Sequence, residues 1–241
     1  MKALKKIFKS ISCVVFLDLE GTQFSHEIIE IGAIKSYIDE ECQIKRNFKE
    51  FHCYVKSKAK IGELVTNLTN IDQHLLDVEG IEFSRAIAVF KKYLGKDFNK
   101  CLFLTYGNSD AAMFHYTLLK NEQMDGQDVK WIAKRCFDFS SFLKNYITDQ
   151  NGNCLSLKHA LEVFNLKFEG KEHGALCDAK NLQILYKNFL IQKDIVKNEY
   201  KKTLFRKSNL PGPIQKVMNK LKNGETITPE DYDQIIEDNL R

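Results

Sequence analysis

Near the N-terminus, Val14-Val15-Phe16-Leu17-Asp18-Leu19-Glu20-Gly21-Thr22 restricts the fold more than any other stretch. An apolar run of this length reads as a buried strand, and it closes in two carboxylates on alternate residues. Side chains alternate along a strand, so Asp18 and Glu20 project from the same side. Two adjacent acids repel each other and are costly to bury without a cation. Hard oxygen donors of this kind suit Mg²⁺ or Mn²⁺. A strand running out into a solvated turn would carry the same residues, and on this stretch alone both readings stand.

Beyond this stretch the chain mixes strand and helix patterns. Glu27-Ile28-Ile29-Glu30-Ile31-Gly32-Ala33-Ile34 is apolar and β-branched and reads as a second strand, and Phe48 to Val55 as a third. Short connections favour an antiparallel meander. Leu64 to Leu76 has the spacing of short helical turns. Ser84 is suited to cap a helix carrying Ile87, Val89, Phe90, Tyr93 and Leu94, stopped by Gly95. Cys101 to Tyr106 is a continuous apolar run, as in a strand buried on both faces. A helix from Asp110 through Leu119 follows. Trp131 and Cys136 to Phe139 suggest a last strand, with a short helix through Phe142 and Tyr146 after it, then a loop at Asp149 to Asn153. Ser156 caps a helix with Leu157, Ala160, Leu161 and Phe164, and a final helix opens at His173 to Ala179. Such an order gives an α/β fold, a mixed five-stranded sheet covered by helices.

The character changes near Leu190. Lys193, Lys197, Lys201, Lys202, Arg206 and Lys207 form a basic stretch that reads as a solvated helix face, and Leu210-Pro211-Gly212-Pro213 is a linker or sharp turn. Ile214, Val217, Met218 and Leu221 have helical spacing, ended by Asn223-Gly224. Thr228-Pro229-Glu230-Asp231 starts another helix. The expected division is a domain over 1–190 and a helical extension over 191–241. The extension is too short for a sizeable core of its own and would dock on the main domain or on a protein partner.

Composition narrows the class. A net charge of +4 over 241 residues is compatible with a polyanionic partner without requiring one. The seven cysteines include no CxxC pair, so neither a zinc site nor a thiol-redox motif is indicated. No run approaches the roughly 20 apolar residues of a membrane helix. The basic lead-in from Met1 to Ser10 has no cleavage site before Asp18 and reads as the approach to the first strand. The expectation is a soluble, cytoplasmic protein with no membrane contact.

Taken singly, the remaining acids have ordinary explanations. Asp110 after Gly107-Asn108-Ser109 suits a helix cap, Asp178 suits the first turn of a helix, and His173 suits a loop. Their order is more informative: Asp-x-Glu after a first strand, Tyr-Gly-x-x-Asp after a later one, and His-x-Ala-x-x-Asp opening a helix. In these motifs, and in the segments Glu27 to Ala33, Leu68-Thr69-Asn70-Ile71, Ser156 to Leu161 and His173 to Ala179, residues 12 to 190 resemble the DEDDh, or DnaQ-like, 3′-to-5′ exonucleases of the RNase H-like fold.

The resemblance implies two divalent ions, Mg²⁺ or Mn²⁺, held by Asp18, Glu20, Asp110 and Asp178, with His173 taking a proton from the attacking water. It further implies that Gly21 and Thr22 lie beneath the terminal nucleotide and that Leu68 packs on its base. Asn stands at position 70, where relatives usually have Gly, and Asn tolerates the same left-handed backbone. Phe24 suits either a stacked base or the core. The partner implied is a single-stranded RNA or DNA 3′ end. Tyr106 to Asp110 looks like the exoribonuclease branch of the histone-mRNA exonuclease and KapD-like proteins, although that branch often has Trp where Tyr106 stands. His173 to Leu176 looks like the proofreading subunit of bacterial DNA polymerase. The balance favours RNA, with a DNA proofreading or repair nuclease as the main alternative and a non-catalytic nucleic-acid-binding scaffold behind it.

Overall fold

The computed structural model describes residues 2–206 and 210–240. In chain order the elements are α1 (Lys2–Ile7), β1 (Cys13–Gly21), β2 (Ile28–Ile38), β3 (Ile44–Asn47), β4 (Phe51–Tyr54), α2 (Glu63–Thr69), α3 (Gln73–Glu79), α4 (Phe83–Leu94), β5 (Leu102–Thr105), α5 (Ser109–Lys120), α6 (Gln127–Lys134), β6 (Cys136–Asp138), α7 (Phe139–Leu143), α8 (Leu157–Val163), α9 (Ala175–Ile191), α10 (Lys193–Phe205), α11 (Gly212–Lys222) and α12 (Pro229–Leu240). By internal contacts the chain divides into two units. One is the chain up to Ser141 with Ser156–Gln192, and the other is Phe142–Leu155 with the chain from Lys193 onward.

The first unit is built on a mixed sheet ordered β3-β2-β1-β5-β6, with β4 also on β2. β1 pairs antiparallel with β2 and parallel with β5, and β6 continues the parallel part. This is the RNase H-like arrangement expected, with six strands rather than five. The extra strand arises at the edge. β2 is eleven residues long, enough to seat two partners end to end on one side. From Ser36↔Asn47 to Ala33↔Phe51 there are three steps on β2 against four on its partner, so the edge strand carries one extra residue. The strand expected from Phe48 therefore begins at Phe51, and Ile44–Asn47 forms a strand of its own.

Alternation along β1 sends Cys13, Val15, Leu17 and Leu19 to one face. There they join Ile31 and Ala33 of β2, Phe83, Ile87 and Phe90 of α4, Phe114 of α5 and Ile132 of α6 in one core. α9 covers the opposite face, with Tyr186 at its centre. The Tyr186 ring lies 5.3 Å from Phe16 and 5.6 Å from Phe139, and its hydroxyl donates to the Cys42 carbonyl at 2.7 Å. Toward the end of β1 this second face changes from Val14 and Phe16 to Asp18 and Glu20. Beside the sheet, the buried Lys35 ammonium lies 3.2 Å from Asp97, which also accepts from the Tyr37 hydroxyl at 2.8 Å.

Several local expectations shift. The basic lead-in contains the short helix α1, apart from Met1, which lies outside the described residues. α4 begins at Phe83, one residue ahead of Ser84, with Glu82 as an N-cap that makes no side-chain bond. Trp131 belongs to α6, not to a strand, and Val129 and Ile132 of that helix are buried. Ser156 caps α8 as expected, its hydroxyl accepting from the His159 N–H. No helix among the described residues is long and apolar enough to cross a membrane.

In the second unit, the Tyr146 ring lies 5.2 Å from Tyr200 of α10, and Thr203 donates to the Tyr146 carbonyl at 3.0 Å. The Arg206 guanidinium donates to the Thr148 and Asp149 carbonyls, so this member of the basic stretch is committed to backbone. Lys193, Lys197, Lys201 and Lys202 are exposed, and Lys207 lies outside the described residues. α12 opens with a reciprocal cap: the Thr228 hydroxyl accepts from the Asp231 N–H while the Asp231 carboxylate accepts from the Thr228 N–H.

Candidate active site

Three elements deliver the sequence-predicted acids. Asp18 and Glu20 stand on the α9 face of β1. Asp110 is the second residue of α5, beyond Asn108, which occupies the N-cap position. Asp110 is thus no helix cap. It is buried, and its carboxylate accepts from the Leu19 N–H, between the two β1 acids. β5 pairs with β1 only as far as Phe16, which leaves this part of the β1 edge for the side chain. Asp178 is the fourth residue of α9, and its carboxylate accepts from the backbone N–H of His173. His173 sits in the preceding loop with a left-handed φ of 62°, exposed to solvent. Ligand atoms of Glu20, His173 and Asp178 all lie within 4.8 Å of one another.

The electrostatics are those of a crowded anionic site. Burial first, then Asp110, Asp178 and Glu20, pushes the Asp18 carboxyl well above its usual range. Burial and Asp178 lift Glu20 to about 8, with Lys171 partly opposing. Burial likewise raises Asp110 and Asp178 to about 7, against the backbone N–H groups that favour their ionised forms. Among the described residues no lysine or arginine forms an ion pair with any of the four. An oxygen-rich donor set with uncompensated negative charge fits hard divalent cations, and the imidazole beside it does not exclude them. The residues present therefore fit the metals that the resemblance implies.

The hairpin after Glu20 is rigidly tied. Thr22 is buried and its N–H donates to the Glu27 carbonyl at 2.9 Å. Its hydroxyl accepts from the Glu27 N–H and meets the Ser25 hydroxyl at 2.7 Å. The Thr22 side chain is thus occupied in closing the turn. Gly21 is packed so closely that a Cβ would stand 2.6 Å from the Met113 methyl carbon. The buried Glu27 carboxylate accepts from Ser25 and from the N–H groups of Lys58 and Ala59, tying the hairpin to the loop that leads into α2. α2 carries Leu68, which is 44% exposed, and ends at Asn70 with the left-handed φ of 64° that the residue type allows. Phe24 is 87% exposed, which removes it from the core.

Asp18, His173 and Asp178 open onto a cleft of about 170 Å³ walled by Tyr106, Lys158 and Phe168. None of these walls was singled out as a site residue from sequence. The Tyr106 hydroxyl donates to the Ser156 carbonyl at 3.4 Å, and Lys158 pairs with Glu172 at 2.6 Å, one residue before His173. Asp138 was missed too. Its carboxylate accepts from the Gly107 N–H at 3.0 Å and so holds the loop that launches Asp110. An acid closing the last strand was the available signal.

Residues 15–186 match the exonuclease family RNase_T. ERI1 exoribonuclease 2 of Xenopus laevis is 23% identical over 185 residues, a span of 67% of this chain and 25% of that protein. The chain thus spans about a quarter of that relative's length. Among solved structures, the nuclease domain of 3′hExo, a DEDDh family member bound to rAMP, superposes with a TM-score of 0.62 at 18% identity, covering 77% of this chain and 94% of that one. Cell-death related nuclease 4 (CRN-4) gives 0.59 at 19%, covering 79% and 66%. An E. coli exonuclease I–ssDNA complex gives 0.60 at 16%, covering 84% and 46%. At these identities the superpositions bear on fold alone, but the family match takes in every sequence-predicted site residue and well over half of the chain, so the chain belongs to the RNase_T exonuclease family.

Proposed function

We propose that the protein is a metal-dependent 3′-to-5′ exonuclease that removes nucleoside monophosphates from single-stranded ends, with RNA preferred. The observation that carries this reading is the convergence of Glu20, His173 and Asp178 within 4.8 Å, with His173 and Asp178 opening onto the same cleft as Asp18. Two divalent ions, when bound, would supply the positive charge that phosphodiester hydrolysis needs at the attacking and leaving oxygens. Asp18, Glu20, Asp110 and Asp178 are the residues that would hold them. His173 acts as the proton acceptor for the attacking water. Its loop position leaves the ring accessible, and the bond from its N–H to Asp178 fixes the backbone that bears it. Gly21 and Thr22 form the floor under the terminal nucleotide, Leu68 packs against its base, and the exposed Phe24 ring offers a stacking surface.

Preference for RNA is supported by relatives described as an exoribonuclease, as bound to rAMP, and as recognising a histone mRNA stem-loop. Exonuclease I in complex with an oligonucleotide is the observation that keeps a DNA substrate as the second reading. The test is digestion of matched 3′-labelled RNA and DNA strands with Mg²⁺ or Mn²⁺. Faster loss of label from RNA is expected. Faster loss from DNA moves the protein to the second reading, and no loss from either strand with either metal rejects the exonuclease assignment.

A further inference from the structure

β2 is buried along nearly its whole length, yet it carries an acid among isoleucines. A carboxylate there must find partners. Glu30 has two: one oxygen accepts from the Ala175 N–H at 3.0 Å, and the other lies 2.6 Å from His52 Nε2. Ala175 is the first residue of α9, where N–H groups lack helical partners and the helix end carries partial positive charge. Gly174, at the N-cap, has no side chain to satisfy them. A strand 145 residues earlier in the chain provides the missing acceptor.

The register shows what this contact controls. Across the β1–β2 pair, Glu30 stands opposite Glu20, and Gly32 stands opposite Asp18. Gly32 lies directly under the start of α9: a Cβ there would stand 2.1 Å from the Leu176 nitrogen. Glu30 therefore draws the helix onto the sheet where Gly32 leaves room for it. Asp178 follows in the first turn and His173 is bonded to it, so the spacing between sheet acids and helix acid passes through the Glu30–Ala175 bond.

We propose that Glu30 is a positioning residue: steadied by His52, its carboxylate caps α9 and sets the distance from Asp18 and Glu20 to Asp178 and His173. It is given no ligand role: both oxygens face partners of their own, and it stands outside the group whose ligand atoms converge within 4.8 Å. The proposal rests on the reading of the cluster as a metal-holding site.

The test compares Glu30→Gln, Glu30→Asp and Glu30→Ala. Mn²⁺ binding to the metal-free protein is followed by titration calorimetry, and kcat and KM are followed on a labelled single strand. Gln retains a carbonyl for Ala175 and an amide that can donate to His52, whereas Asp keeps the charge but withdraws the acceptor by one methylene. Groups that orient metal ligands are typically worth roughly 10- to 100-fold in affinity or activity. Losses in that range are expected for Ala and Asp, in Mn²⁺ affinity and in kcat with KM little changed, while Gln stays near wild type. If Ala fails to fold, the Gln–Asp contrast decides. Wild-type behaviour of Asp with loss in Gln would show that charge matters rather than contact, and the proposal falls. It falls equally if all three variants match wild type. A wild-type protein that binds Mn²⁺ but digests nothing rejects the exonuclease reading alone, because the affinity series still decides the role of Glu30. A wild-type protein that binds no Mn²⁺ removes both.

Discussion

Proton release on metal binding is the most direct consequence of the crowded carboxylates. Unfolded, Asp18, Glu20, Asp110 and Asp178 titrate near 4. Folded, Glu20 rises to about 8, Asp110 and Asp178 to about 7, and Asp18 well above its usual range. Between those values the folded state binds more protons than the unfolded one. The contribution of these groups to stability is therefore fully present below about pH 4 and lost as pH rises through about 7 to 8. A three-unit shift corresponds to ~4 kcal/mol for one group standing alone. A site of four such groups keeps protons instead of ionising fully, because each proton relieves the repulsion on its neighbours. At about pH 7 the metal-free site thus retains protons shared among Asp18, Glu20, Asp110 and Asp178. Divalent ions require the ionised ligands, so binding should expel protons, in a number equal to those the four acids retain. Titration of Mn²⁺ into metal-free protein in Pipes and in Tris reads that number from the difference in heat. The apparent affinity should climb between about pH 6 and about pH 8, and added Mn²⁺ should raise the melting temperature more at the higher pH. A heat independent of buffer, with affinity flat over that range, would show the acids already ionised and refute the reasoning.

Other substitutions separate roles. Asp18→Ala and Asp178→Ala should abolish turnover on a labelled strand, while His173→Ala should lower kcat by roughly 10²- to 10⁴-fold and leave Mn²⁺ binding largely intact. Full activity in His173→Ala would reject the proton-acceptor role. Phe24→Ala should raise KM between about fivefold and about a hundredfold, the range of ~1–3 kcal/mol for one base on an aromatic ring, with kcat little changed; an unaltered KM removes Phe24 from the substrate path. Lys35→Met strands the Asp97 carboxylate beside the sheet and should destabilise the protein by ~3–5 kcal/mol in denaturant titration. A change below about 1 kcal/mol would mean that the Tyr37 hydroxyl alone satisfies Asp97.

How much the sequence discloses depends on the range of the cause. The alternation of β1, the Ser156 and Thr228 caps and the left-handed Asn70 are dictated within a few residues, and each is visible in the chain. The start of α4 is not. A serine signals a cap at position 84, but Ile81 forms a bridge with Val55 and accepts from the Lys56 N–H, and this pairing fixes where the chain can turn into a helix. The edge strand is likewise divided by its fit to β2, which no property of residues 44–54 announces. For the site, the acids and His173 are legible as motifs because the chemistry proposed for them calls for those residue types. Glu30 is visible only as an acid out of place in an apolar strand, since its partner lies in a distant helix.

One irregularity in β2 explains how the acid face and the hairpin beside it are made from adjacent residues. From Glu20↔Glu30 to Gly21↔Ile28 the register advances one residue on β1 and two on β2, so Ile29 is the extra residue of a bulge. In a regular strand Ile28 would share a face with Glu30. Instead Ile28 joins Ile31 and Leu19 in the main core, with its N–H donating to the Thr117 hydroxyl at 2.9 Å. Ile29 is freed to form a second, smaller core with Val65, Ile71 and Leu76. That small core seats α2, the helix that carries Leu68. A slip of one residue in a regular pairing would carry every following side chain to the wrong face. The bulge confines that change to the point where Glu20 ends the acid pair and Gly21 begins the hairpin. The carboxylates thereby keep the α9 side of the sheet while Gly21 packs against α5 and Ile29 anchors α2. Pairing Ile29 in a regular ladder instead of a bulge would force a choice between the two, since Ile28 and Glu30 would again compete for one face.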